Sequence, residues 1–216
     1  MRQPEAKDFE SSGQAPRRGA DRADKGMEDR GGFQRSDTGG NRNIDHSPSS
    51  KEQHLSLTAD QYKGIMARYP SGVTVVTATD TNGKDFGLTV SAFTAASLEP
   101  PLVLVCVDTS SNTLPAIRES QAFTVNILEA GKQDIAIQFA SKDSDKFLAV
   151  NVENTSTGPV LVSGVVAYLR CRVESQIEAG DHSIFVGLVE DARVIDESRQ
   201  GLLFCDRAFW RMVAVD

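Results

Sequence analysis

Hydrophobic residues are distributed unevenly along the chain, and their pattern changes near residue 55. Through His54, nine of 54 residues are apolar, whereas 76 of the 162 residues from Leu55 onward are apolar. The first stretch has seven glycines and three prolines among scattered charges, a composition that buries too little surface to offset the entropy of ordering. The pattern therefore predicts a disordered N-terminal tail over residues 1–54 and one folded domain over residues 55–216.

The folded part is predicted to begin with a helix. Thr58 and Gln61 have the spacing of a capping box, in which two side chains bind free backbone amides at a helix start. Apolar residues then recur on one helical face until Pro70 and Gly72 end the pattern. These apolar residues are Tyr62, Ile65, Met66 and Tyr69. We expect this stripe to pack against the core.

After Gly72 the pattern is mainly that of β-strands. Asn82 and Gly83 lie between two strand-like runs and favour the positive φ angles that a tight hairpin needs. Leu102–Val107 is entirely apolar, which predicts a central strand buried on both faces. Further strands are predicted at Val73–Ala78, Phe86–Thr94, Ala122–Leu128, Leu169–Val173, Ile184–Val194, Leu202–Cys205 and Phe209–Val213.

Two more helical segments are predicted between these strands. Ser110–Ser120 has Pro115 in its first turn, where a missing amide costs nothing, and an Ala-rich segment follows Lys132, with a further turn at Asp143–Phe147. Strands and helices do not alternate regularly, which argues against a doubly wound parallel sheet. The predicted fold class is mainly β with α additions, an antiparallel barrel with a helix before its first strand.

Charge and cysteine content exclude several classes of protein. The formal net charge is −7 and the sequence pI is about 5.0, so no nucleic-acid partner is expected. The longest apolar run is far too short to cross a membrane. Three cysteines without CxxC spacing predict a reducing, cytoplasmic setting and no metal site. The tail carries ten residues of each charge, so the excess negative charge lies in the domain.

The residues alone leave the chemistry open. Common motifs of nucleotide-binding proteins, metalloproteases and hydrolases are missing, and the domain holds one histidine, His182, beside Asp181. A lone histidine in a turn is often a surface residue. Hydroxyl groups concentrate at Thr89, Ser91 and Thr94 on one predicted strand and in Asp108–Thr113. This pattern fits a solvated face and a helix cap, or an anion site at a helix start.

Ten short segments between Gly72 and Phe204 form an ordered set. They are Gly72–Thr77, Gly87–Phe93, Ser97–Val107, Ser110–Thr113, Phe123–Leu128, Gln138–Ala140, Lys146–Phe147, Gly158–Leu161, Gly180–His182 and Leu202–Phe204. In this order they resemble the flavin reductase-like family, whose fold is the FMN-binding split barrel. The resemblance covers nearly everything after Leu57.

The resemblance implies an enzyme, an NAD(P)H:flavin oxidoreductase that transfers hydride from NADH or NADPH to FMN or FAD. Reduced flavin would diffuse to a separate flavin-dependent monooxygenase, and the reductase would be a homodimer. A flavin-binding electron carrier and a non-catalytic ligand-binding barrel are the alternative functions, because a fold does not fix a function.

The resemblance also implies a set of site residues. The flavin ring would lie along one strand and the end of another, with its phosphate at the following helix start, and His182 would be the catalytic residue, which positions the nicotinamide. The implied cofactor-binding residues are Gly87, Leu88, Thr89, Val90, Ser91, Ala92, Cys106, Val107, Asp108, Ser111, Asn112, Thr113, Phe139, Gly180, Asp181 and His182.

Two positions depart from the pattern of some relatives. Asn112 and Gln138 are neutral where those relatives carry arginine or lysine. Phosphate binding is therefore expected to depend on hydroxyl groups, backbone amides and the cations Lys84 or Arg118.

Overall fold

The computed structural model describes residues 57–143 and 145–215, and the predicted tail over residues 1–54 lies outside the described residues. The helices of the described part are α1 (Ala59–Met66), α2 (Thr113–Ser120) and α3 (Gln133–Ala140). None of them is long and apolar enough to cross a membrane. The predicted capping box is confirmed: the Thr58 hydroxyl accepts from the Gln61 amide at 3.2 Å, and the Gln61 carboxamide oxygen accepts from the Thr58 amide at 2.9 Å.

Helix α1 corrects the expectation that its apolar stripe packs into the core. No residue of α1 is buried, and Ile65 and Tyr69 are 61% and 69% exposed. The helix region is joined to the remainder by the backbone bond from the Asp206 amide to the Ala67 carbonyl and by an ion pair between Arg68 and Asp206. Helical periodicity identifies an apolar face but does not identify what covers it.

The described part is mainly β-structure. Its strands are β1 (Ser71–Gly72), β2 (Thr74–Thr79), β3 (Asp85–Val90), β4 (Phe93–Ser97), β5 (Leu102–Asp108), β6 (Ala122–Leu128), β7 (Val152–Glu153), β8 (Val160–Leu161), β9 (Val165–Ala179), β10 (His182–Val194), β11 (Leu203–Cys205) and β12 (Ala208–Trp210). The predicted turn at Asn82 and Gly83 joins β2 to β3, and Gly83 has φ +81°.

Seven of these strands form one antiparallel sheet in the order β3-β2-β6-β9-β10-β5-β4. Strand β3, at one edge, also contacts β5 near the other edge, so the sheet curls on itself. This arrangement confirms the predicted class, a mainly β barrel with α additions and a helix before the first strand. The smaller sheets are β1-β11-β12 and β7-β8.

The predicted central strand at Leu102–Val107 needs correction. Strand β5 is next to the edge strand β4 and is fully buried on one face only. Val103, Val105 and Val107 point into the barrel, whereas Leu104 and Cys106 are half-buried on the outside. A continuous apolar run does not distinguish a face covered by its own chain from one that is left open.

Two further boundaries differ from the predictions. The single strand predicted at Phe86–Thr94 is two strands, because Ser91 and Ala92 carry the chain from one edge of the sheet to the other. The segment predicted to turn at Asp143–Phe147 is not helical in its described residues and contributes to a turn at residues 146–149. The break between β3 and β4 and the turn at residues 146–149 depend on how the sheet closes. Local sequence patterns do not predict that closure.

The core has two parts, one on each side of the sheet. Inside the barrel, valines of β2, β5 and β6 pack with α2 and with Phe123, Cys171 and Phe185. Cys171 is a fully buried free thiol. On the outer side of β2, helix α3 packs through Ile135 and Phe139 against β8 and the start of β9. Helix α3 is thereby fixed beside β3, where the predicted flavin residues begin.

A buried polar cluster holds residues 155–161 against β2 and β6. Thr77 donates its hydroxyl to the Pro159 carbonyl at 2.6 Å. The Asn126 side chain accepts from the Leu161 amide at 2.9 Å, and Thr124 lies in hydrogen-bond distance of Thr157, with hydroxyl oxygens 2.8 Å apart. No buried side-chain polar atom of the described part lacks a partner, which is the arrangement that low-dielectric interiors require.

Candidate functional site

A cavity of about 350 Å³ lies where β3, the end of β5 and the end of α3 meet. Six residues predicted from the sequence line it: Leu88, Thr89, Asp108, Ser111, Asn112 and Phe139. The structure adds Ser110, Ala140, Ser141, Lys142 and Lys146. The cavity thus combines a hydrophobic side with hydroxyl, amide and ammonium groups.

Strand β3 forms one wall because it is fastened to α3. The Thr89 hydroxyl donates to the Ala136 carbonyl of α3 at 2.6 Å, so its oxygen remains available as an acceptor. Gly87 lies on the same strand, and a Cβ placed there would be 2.7 Å from Cε1 of Phe139. Glycine at this position therefore lets the Phe139 ring lie directly against β3.

Residues 108–113 form the opposite wall, at the start of α2. Asp108 accepts from the Ser110 amide at 2.7 Å, and the Ser110 hydroxyl and amide hold the pKa of Asp108 below its usual value. Ser111 accepts from the Thr113 amide at 3.2 Å, so Ser111 performs the capping. Asn112 precedes the helix without a side-chain capping bond, and its amide group lines the cavity.

The β9–β10 hairpin places His182 beside this wall. Gly180 has φ +63°, which suits the first central residue of a tight hairpin turn. His182 and Asp108 are direct cross-strand partners, so both side chains lie on one face of the sheet. His182 Nδ1 is 2.7 Å from the Asp181 carboxylate, and the Thr109 amide and hydroxyl both donate to the Asp181 carbonyl, at 3.0 and 3.1 Å.

Two lysines of the cavity were missed by the sequence interpretation. Lys146 donates to the carbonyls of Gly87 and Phe139, each at 3.0 Å, and burial lowers its pKa. Lys142 is exposed, and no hydrogen bond or ion pair of its side chain is found within residues 57–143 and 145–215. The sequence feature that could have identified them is the position of two lysines, four residues apart, soon after α3. Phe139, near the end of that helix, is itself an expected site residue.

The cations expected from the sequence do not line this cavity. Lys84 lies 5.1 Å from the Phe86 ring centroid and lines an adjoining cavity of about 70 Å³, which shares Asn112 and Lys146 with the main cavity. Arg118 bonds to Glu178 and Ser183. Gln138 donates its amide to the Lys146 carbonyl at 2.5 Å and so supports the lysine-containing loop.

The remaining predicted residues do not line the main cavity. Gly87 and Thr113 line the smaller cavity that also contains Lys84. Ser91 and Ala92 line a third cavity, of about 520 Å³, with α1. The side chains of Val90 and Val107 are buried in the core, so these residues offer a ligand only their backbone. Cys106 is half-buried, and this burial raises the pKa of its thiol. Gly180 and Asp181 form the turn between β9 and β10.

The cavity has the groups that a flavin nucleotide requires. Lys142 supplies a cation, and Ser110 and Asn112 supply polar side chains beside a helix start that can bind a phosphate. Leu88 and Ala140 also line the cavity, and the Phe139 ring is fully buried against β3, where it supports the wall. The protein residues present therefore fit the group that the resemblance implies.

Comparisons with known proteins identify the family of this chain. The flavin reductase like domain model matches residues 66–212. The chain is 38% identical to the flavin reductase (NADH) of Kitasatospora aureofaciens over 157 residues, 72% of this chain and 82% of that protein. It is 40% identical to the reductase component of 4-nitrophenol 4-monooxygenase/4-nitrocatechol 2-monooxygenase from Rhodococcus opacus over 137 residues, 63% of this chain and 73% of that protein.

A solved structure gives the same result. The NADH:FAD oxidoreductase SgcE6 of Streptomyces globisporus, in complex with NAD and FAD fragments, superposes with a TM-score of 0.67 at 35% identity, covering 71% of this chain and 92% of that one. Because the domain model and relatives above 30% identity each match most of the chain, the protein belongs to the flavin reductase-like family and is an NAD(P)H-dependent flavin reductase.

Proposed function

We propose that this reductase binds FMN or FAD along β3, in the cavity between β5 and α3, and receives hydride from NADH or NADPH beside the His182 hairpin. The observation that carries the proposal is the juxtaposition of six predicted flavin residues with the cation Lys142 in one cavity. The reduced flavin then leaves by diffusion for a separate flavin-dependent monooxygenase. A cavity in which the exposed Lys142 is the cation assigned to phosphate suits a flavin that is released after reduction.

The binding residues divide by the part of the flavin that they contact. Lys142, Ser110 and Asn112 bind the phosphate end. Phe139, whose ring is fully buried, supports β3 from the α3 side. Lys146 maintains the wall, because its two carbonyl bonds tie its loop to β3 and α3. Backbone groups near Thr89 bind the polar edge of the ring.

His182 acts on the nicotinamide side of the site. The Asp181 carboxylate binds Nδ1, which leaves Nε2 free to donate to or accept from the nicotinamide carboxamide. The two Thr109 bonds to Asp181 prevent this turn from moving away from the end of β5. Bound flavin would supply the hydride acceptor, and the residues of this chain would orient the two rings, so none of them needs to carry a proton at a fixed atom.

The proposal is tested by NADH oxidation in the presence of free FMN or FAD, followed by absorbance, with NADPH in parallel. We expect many turnovers per protein, and flavin binding without turnover would instead indicate an electron carrier.

His182→Ala should lower kcat/KM for NADH about tenfold, chiefly by raising KM, since a lost hydrogen bond to the nicotinamide weakens its binding. Unchanged kinetics in His182→Ala would remove the histidine from the mechanism.

We also propose that the protein is a homodimer. The support is the apolar stripe of α1, which this chain leaves exposed, together with the half-buried outer face of β5. Ile65→Glu should shift the dimer to monomer in sedimentation, because a buried charge at an interface is strongly unfavourable. Ile137→Glu is the matched control, since Ile65 and Ile137 are 61% and 60% exposed, and it should leave the dimer intact. A wild-type monomer, or equal effects of both variants, would contradict this proposal.

A cytoplasmic location and a disordered tail over residues 1–54 are further proposals. The first is supported by three free cysteines, and the second by the composition of the tail.

A further inference from the structure

We infer that Arg118, Glu178 and Ser183 form a positioning cluster that sets the orientation of His182 toward the nicotinamide. The inference rests on the proposed role of His182. None of the three is among the residues expected to bind nicotinamide, and Arg118 was expected to bind phosphate instead. We call these three residues the hairpin anchor.

The hairpin anchor is a closed set of hydrogen bonds. One nitrogen of Arg118, Nη2, donates to Glu178 Oε1 at 2.7 Å and to the Ser183 hydroxyl oxygen at 3.0 Å. The Ser183 hydroxyl donates to Glu178 Oε2 at 3.0 Å. Gln176 donates to Glu178 at 2.5 Å. The bonds from Ser183 and Gln176 lower the pKa of Glu178, because they stabilise its ionised carboxylate.

The anchor controls the face on which His182 lies. Ser183 is fully buried and points into the barrel, as does Phe185 two residues later. Side chains alternate along a strand, so fixing Ser183 inward fixes His182 on the outer face, opposite Asp108. Glu178 is the cross-strand partner of Ser183, so the anchor closes the hairpin one residue pair before the turn.

The anchor also connects the two halves of the site. Arg118 belongs to α2, whose N-terminal loop holds Ser111 and Asn112 in the flavin cavity. The bonds from Arg118 to Glu178 and Ser183 tie α2 to the His182 hairpin, and the Thr109 bonds tie the same loop to Asp181. The flavin-phosphate wall and the nicotinamide hairpin are thereby held as one unit.

A double-mutant cycle tests this inference. Glu178→Ala removes the carboxylate that accepts from both Arg118 and Ser183. We expect it to raise KM for NADH about fivefold with a much smaller change in kcat, because the loss of one ordinary hydrogen bond changes an equilibrium constant by about that factor. The flavin Kd and the melting temperature should stay close to wild type. In a His182→Ala background the same substitution should have no further effect, because both changes act through one side chain.

Glu190→Ala is the matched control. Glu190 pairs with Arg172 at 3.2 Å at a site further along the same two strands, and both side chains are 49% exposed. This variant should retain wild-type KM and kcat. Arg118→Gln should reproduce the effect of Glu178→Ala on NADH without raising the flavin Kd.

The outcomes separate the inference from the proposed function. The inference is overturned if His182→Ala is impaired but Glu178→Ala has normal kinetics. It is also overturned if Glu178→Ala raises KM by the same factor in the wild-type and the His182→Ala backgrounds. In either case the anchor does not position His182, while the role of His182 stands. A raised flavin Kd in Arg118→Gln would also overturn it, in favour of phosphate binding. If His182→Ala is itself unimpaired, the proposed role of His182 and the inference both fall.

Discussion

Replacing Lys142 with glutamate is expected to raise the Kd for FMN roughly 30-fold or more. A hydrogen bond to a charged group contributes about 1.5–3 kcal/mol, which corresponds to about a 10- to 100-fold change in Kd. The substitution also adds a second carboxylate to a cavity that Asp108 already lines, so the phosphate meets repulsion in place of attraction. Fluorescence titration of FMN measures Kd, and kcat at saturating flavin should change little because Lys142 is assigned to the phosphate.

Two variants control for charge and for local structure. Lys142→Arg keeps the cation and should bind FMN nearly as tightly as wild type does. The Kd for FMN should also change with salt concentration as it does in wild type. Arg193→Glu makes the same change in net charge on an exposed residue at the far end of β10 from His182. An equal loss of affinity in Arg193→Glu would mean that the general field of this acidic protein, and not the cavity lysine, governs flavin binding.

The fold was predictable wherever a local pattern determines the structure. The capping box at Thr58 and the turn at Gly83 are contacts within four residues, and both are present. The exposure of α1 and of the outer face of β5 was not predictable. Both depend on which other surface, in the same chain or another, covers an apolar face, and periodicity contains no information on that.

The site was predictable where it follows consecutive residues of a strand or a helix start. Thr89 and Asn112 line one cavity because the curled sheet brings β3 to the end of β5. Lys142 and Lys146 were not predicted because long-range contacts place their loop beside β3. These contacts are the packing of α3, the bond from Thr89 to Ala136 and the bonds from Lys146 to Gly87 and Phe139. Arg118 was assigned to phosphate because the sequence does not show that its side chain pairs with Glu178, which is 60 residues away.

Gly158→Ala is expected to be the most destabilising single methyl addition in the domain. Gly158 has φ +114°, and a Cβ there would lie 2.7 Å from the Thr77 carbonyl oxygen and 2.8 Å from Ala78 Cα. These are backbone atoms of β2, so no side-chain rotation relieves the collision.

We expect the free energy of unfolding of Gly158→Ala to fall by about 4 kcal/mol, from overpacking of about 1–3 kcal/mol and a backbone cost of a similar size. At about 2–4 °C per kcal/mol for a domain of this size, the melting temperature should fall by about 8–16 °C. Gly83→Ala separates the two causes, because Gly83 has φ +81° but nothing within 4 Å of its Cβ position. It should lose only the backbone cost, about 1–2 kcal/mol. Equal losses in both variants would show that the φ angle alone, and not the approach of residues 155–161 to β2, requires glycine at 158.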